Sequence, residues 1–91
     1  MTDLENKYCV YILYSTIKNR FYIGFTSELS KRLDYHNSGK VTSTKPYRPW
    51  NLVGFIGKTT KTEALILERK LKNLNTSDLK KFILKYFQKT F

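Results

Sequence analysis

The chain is poor in cysteine, glycine, proline and acid: one cysteine, Cys9, four glycines, two prolines and seven acidic residues among 91. A lone cysteine excludes an internal disulfide and any thiolate-based zinc cluster. No apolar run reaches the length of about 18 residues that a membrane span needs. The polar, acidic start Met1–Asn6 does not read as a secretory leader, so a soluble cytoplasmic protein is the expectation. The length suits a single domain over 1–91, near the lower limit of what folds without staples. The shortage of acid leaves 17 basic residues against seven acidic ones, a formal net charge of +10, and a pI near 9.8. Such a field on so small a body attracts polyanions. A Lys-rich solubilising surface is the plain alternative, and nucleic acid ranks ahead of it. A membrane surface fits less well, because the basic residues are spread along the chain and not gathered on one Trp- or Leu-faced helix.

Aromatic and β-branched residues are plentiful near the N-terminus, and there they alternate. Tyr8, Val10, Ile12 and Tyr14 fall on one face of a strand, with Cys9, Tyr11 and Leu13 on the other. A polar turn over Ser15–Asn19 leads to a return strand, Phe21–Phe25. A hairpin centred on that turn sets Tyr11 and Tyr22 roughly opposite each other on one face. Thr26-Ser27 caps a helix that runs to about Ser38, with Glu28 at its positive end and Gly39 just beyond it. Leu29 and Leu33 are its apolar contacts, and Arg32 and His36 project beside them, toward the sheet. Lys40–Pro49 is a basic loop without periodicity, and Trp50–Ile56 reads as a third strand. A second helix starts at Thr62-Glu63, with Ala64, Leu67, Leu71 and Leu74 at helical spacing. A terminal amphipathic helix over about 77–89 turns Leu79, Phe82, Ile83, Tyr86 and Phe87 inward. The fold class expected is α+β: a small three-stranded antiparallel sheet flanked by helices, in the order β-β-α-β-α-α.

The residues that could carry chemistry each have a plainer use. Two tyrosines on one hairpin face are more often packing than catalysis. An Arg32–His36 pair one turn apart is more often a solvated face. Glu68 is the more informative oddity, because it falls inside the apolar arc of the second helix, where an unpaired carboxylate is costly. A salt bridge to a Lys or Arg would explain it, and so would a metal ion. Pattern alone does not decide between them.

Taken together, the stretches are more specific. They read Val10-Tyr11-Ile12, Phe21-Tyr22-Ile23-Gly24-Phe25-Thr26, Leu29 to Gly39, Lys45-Pro46-Tyr47-Arg48-Pro49-Trp50, and Thr62 to Lys72. In that order and at that spacing they resemble the GIY-YIG nuclease superfamily, above all its small standalone bacterial members. The domain is also similar to the N-terminal nuclease half of the bacterial excision-repair nuclease. The resemblance spans about 8–72. It implies catalytic roles for Tyr11, Tyr22, Arg32, His36 and Glu68. Gly24 closes the second triplet, where the backbone is expected to come close to a phosphate or the next helix. Two positions depart from the pattern. The first triplet is Cys9-Val10-Tyr11 and not Gly-Ile-Tyr, and the asparagine that follows the glutamate in some branches has only Asn73 and Asn75 as candidates.

What the resemblance implies is hydrolysis of DNA phosphodiester bonds with one divalent cation, Mg²⁺ or Mn²⁺, on Glu68. Tyr11, polarised by His36, would take a proton from the attacking water, Tyr22 would orient that water or the phosphate, and Arg32 would neutralise developing charge. Lys18, Lys40, Lys45 and Arg48 are candidate nucleic-acid contacts, with Tyr47 and Trp50 interleaved in the basic loop. For Trp50 a core role is the better reading. The expected partner is DNA, branched or single-stranded, in repair, recombination or processing. A bare catalytic domain is expected to be weakly specific, to read structure and not sequence, or to borrow specificity from a protein partner. The alternatives are a module on the same scaffold that binds nucleic acid without cutting, and a small interaction protein.

Overall fold

A computed structural model describes residues 6–91; the acidic start at 1–5 lies outside the described residues. Strands β1 (Tyr8–Ser15) and β2 (Arg20–Thr26) form the expected hairpin, followed by helix α1 (Leu29–Ser38), strand β3 (Trp50–Lys58) and helices α2 (Lys61–Lys72) and α3 (Thr76–Phe87). All pairings are antiparallel, with β1 in the middle of the order β2-β1-β3. The α+β class and the β-β-α-β-α-α order are those expected from the sequence, with a short 3-10 turn at Lys45–Tyr47 inserted in the basic loop.

Alternation in β1 divides the interior into two cores, one on each face of the sheet. Val10 and Ile12 join Ile23, Val53, Ala64, Leu71, Leu79 and Ile83 under α2 and α3. Tyr11 and Leu13 join Trp50, with Leu29, Leu33 and Tyr22 packed around them, under α1. A bulge in β3 keeps this division. Ile12 pairs with Gly54 and Leu13 with Leu52, so Val53 is the extra residue, and it turns into the core under α2 and α3. The Phe87 ring of α3 lies on Gly54, where a Cβ would sit 2.5 Å from it.

Several boundaries differ from the sequence reading. Only residues 16–19 form the hairpin turn, because Ser15 still pairs with Arg20. The register therefore places Tyr11 opposite Gly24 and Tyr22 opposite Leu13, so the two tyrosines are diagonal rather than opposite. The offset is even, so both rings stay on one face. Glu28, not Ser27, occupies the N-cap of α1, and its N–H donates to Thr26 Oγ1 at 3.0 Å. Strand β3 continues to Lys58, and α2 begins at Lys61 behind a full capping box of Thr60 and Glu63. Helix α3 stops at Phe87, where Gln88 turns left-handed, and Tyr86 is exposed rather than inward.

Candidate active site

The centre of the site is a buried chain of three side chains. Tyr11 comes from the middle strand, His36 from the last turn of α1 and Thr44 from the basic loop. They are 2%, 0% and 2% exposed, so their polar atoms depend on one another. Tyr11 Oη lies 2.9 Å from His36 Nε2, and His36 Nδ1 lies 2.8 Å from Thr44 Oγ1. The Thr44 hydroxyl also lies 3.3 Å from the Val41 carbonyl, which can only accept. The hydroxyl therefore donates to Val41 and accepts from His36 Nδ1–H. That leaves Nε2 with a lone pair aimed at Tyr11, whose hydroxyl donates to it.

Burial, and then the nearby Arg32 charge, hold the His36 pKa below the ordinary value of 6.5, so the ring is neutral at neutral pH. Burial is also the largest influence on Tyr11. Together with Tyr22 it pushes the phenol well above its usual 10.0, with Cys9 and Glu68 adding to the rise and Arg32 opposing it. A free Tyr11 phenolate is thus strongly disfavoured at neutral pH. The neutral phenol, with its proton already pointing at a vacant imidazole nitrogen, is the resting form.

Backbone geometry explains why the phenol can sit there. Gly24 is directly across the hairpin from Tyr11, and a Cβ on it would stand 2.6 Å from the Tyr11 hydroxyl. The close neighbour that requires glycine is thus the Tyr11 ring, rather than the phosphate or helix expected from the sequence. Tyr22 stacks beside the chain, its ring centre 6.2 Å from Tyr11 and 4.7 Å from His36. The loop that carries Thr44 is pinned at two points. Trp50 Nε1 donates to the Thr44 carbonyl at 3.0 Å, and the Asn37 amide bonds both backbone groups of Trp50, at 2.7 and 3.1 Å. Trp50 is 4% exposed and belongs to the core, as the sequence suggested.

On α1 His36 is buried and Arg32 is exposed, yet the Arg32 charge lies near enough to act on both His36 and Tyr11. Glu68 reaches the region from α2, its side chain only 16% exposed. Its Oε2 is 3.3 Å from Lys72 Nζ, one turn along the helix. The salt-bridge explanation for Glu68 is therefore present in the structure, and the i,i+4 spacing was the signal for its partner. Among the described residues, no three His, Cys, Asp or Glu side chains gather as a metal cage. A single carboxylate nevertheless suits Mg²⁺, which keeps most of its waters and is completed by substrate phosphate oxygens.

The other candidates are spread around this centre. Lys18 is exposed in the hairpin turn, Lys45 is exposed, and Lys40 lies 5.1 Å above the Tyr35 ring. Arg48 is half-buried. Its guanidinium rests against left-handed Gly39, and its Nε donates to the Lys45 carbonyl at 3.0 Å, so it braces the end of α1. Asn75 is the N-cap of α3, accepting from Asp78 N–H at 2.7 Å, and Asn73 is the C-cap of α2. Thr44 and Asn37 carry no signal in the sequence. Nothing in the Thr42-Ser43-Thr44 run distinguishes the buried threonine from its exposed neighbours.

The site is thus a three-stranded sheet with a tyrosine on each hairpin strand, covered by α1 on one face and by α2 and α3 on the other. The GIY-YIG catalytic domain matches residues 7–87, and the chain belongs to that family. It is similar to a UPF0213 protein of Bacillus velezensis, at 34% identity over 86% of this chain and 79% of that protein. It is also similar to a UPF0213 protein of Bacillus halodurans solved by NMR, with a TM-score of 0.59 and 28% identity, over 87% of this chain and 84% of that one. The structure-specific endonuclease subunit SLX1 of Podospora anserina shares 43% identity over 77% of this chain. That match takes in only 22% of SLX1, so the chain spans about a fifth of this longer relative.

Proposed function

We propose that the protein is a metal-dependent endonuclease that hydrolyses DNA phosphodiester bonds. The observation that carries this reading is the buried Tyr11–His36–Thr44 chain, which aims a phenol proton at a neutral imidazole nitrogen held in one tautomer. In this mechanism Tyr11 takes a proton from the attacking water as its own proton passes to His36 Nε2. The phenolate that burial disfavours never accumulates. Thr44 holds the His36 tautomer that can receive the proton, as an orienting group does for other catalytic histidines. Tyr22 positions the water or the phosphate, and the exposed guanidinium of Arg32 meets the charge that develops on the phosphate oxygens. Glu68 would hold the divalent cation, which when bound supplies charge neutralisation at the phosphate and help for the leaving oxygen. The names of the SLX1 relatives, a structure-specific endonuclease and a subunit, support branched DNA as substrate and a protein partner as the source of specificity.

One observation favours a second reading. Glu68 already has Lys72 as its cation, which would suit a module that binds nucleic acid without cutting. Incubating a nicked-flap DNA and a supercoiled plasmid with Mg²⁺, Mn²⁺ or EDTA separates the two. The nuclease reading expects metal-dependent strand breaks that Glu68→Ala reduces by about 100-fold or more. Binding of the same DNA with no breakage by either protein would establish the second reading.

A further inference from the structure

Outside the relay, a groove of about 600 Å³ follows the outer edge of β2, between that strand and the corner where α2 meets α3. Its rim carries Lys18, Arg20 and Lys72, and its floor includes the half-buried Phe21, Tyr22 and Leu74. No acidic side chain lines it among the described residues, and no carboxylate there pairs with Lys18 or Arg20. Lys72 is the one rim cation with a partner, and that partner is Glu68 of the site. Arg20 also lies over the Tyr47 ring at 4.9 Å, which fixes its guanidinium beside the basic loop. Lys18 and Arg20, the two rim cations without a carboxylate partner among the described residues, repel each other unless a polyanion joins them.

We propose that this groove carries one unpaired DNA strand toward the phosphate to be cut. The inference rests on the nuclease reading for its direction, because the groove shares Tyr22 and Lys72 with the site. A single strand offers what the groove lacks: phosphates at intervals for the rim, and flat base faces for the floor. A duplex hides its bases, so it gains only the general attraction of the basic surface. Among the described residues no strand pairs with the outer edge of β2, so its backbone N–H groups face the same path.

Anisotropy of a fluorescein-labelled oligothymidine and of a labelled duplex, each titrated over a range of salt, tests this. The variant is K18Q/R20Q, which leaves the relay and Glu68 untouched, and K80Q/K85Q on the exposed side of α3 is the control for net charge. The groove variant is expected to lose about tenfold in single-strand affinity at low salt and to flatten the slope of log K against log salt by about 1.4, two contacts at 0.7 each. It should bind the duplex no worse than the control variant does. Equal losses in both variants, or equal losses for strand and duplex, would overturn the groove. Because binding is read without metal, a wild-type protein that fails to cut would sink the nuclease reading while a selective strand loss in K18Q/R20Q would still uphold the groove.

Discussion

His36 is the residue on which charge, burial and hydrogen bonding converge. Its lowered pKa means that the folded chain holds fewer protons on this ring than the unfolded chain once the pH drops below 6.5. Its contribution to stability is therefore fully present above that value and declines as the pH falls toward the folded-state pKa. The melting temperature of the wild type should fall between neutral pH and about pH 5 more steeply than that of His36→Gln. Parallel pH profiles would mean that the ring is not held neutral. The same residue shows what was legible one position at a time. Its helical angle beside Leu29 and Leu33 correctly turned it inward. Arg32 has the same kind of angle and a longer side chain, so it stays exposed while its charge still acts on His36 and Tyr11. Thr44 could not be read, because a buried hydroxyl in an aperiodic loop is chosen by tertiary contacts.

Among the elements, the strands and helices were legible because their patterning is strong, and their ends and register were not. The alternation of β1 set both faces of the sheet, but the hairpin register depended on whether Ser15 and Arg20 would still pair, which composition does not reveal. Strand β3 hides a bulge, since Leu52-Val53-Gly54 alternates no differently from an unbulged strand. The loop between α1 and β3 read as featureless, yet it is fastened by Asn37. Its carboxamide is the link between the end of α1 and the first backbone groups of β3. Asn37→Ala should cost about 1–3 kcal/mol in urea unfolding, the range for losing two hydrogen bonds to buried backbone groups. It should also speed hydrogen exchange at Thr44 and Trp50, which depend on that anchor. Unchanged stability and exchange would show that the Trp50–Thr44 bond holds the loop by itself.

For the whole molecule, the net charge of +10 points to a polyanionic partner. In the proposed mechanism, cutting rests on one hydroxyl in the middle of the sheet. Tyr11→Phe removes that hydroxyl and keeps the ring, and with it the packing of Leu13 and Trp50. Single-turnover cleavage of a flap DNA with Mg²⁺ by this variant, beside its urea unfolding curve, is the most direct test. The account expects a loss of about 100-fold to 10,000-fold in rate, with stability lowered by about 1–3 kcal/mol because the buried His36 Nε2 is left without its donor. A variant that cuts at the wild-type rate would contradict it, and the Tyr11–His36–Thr44 chain would then be structural.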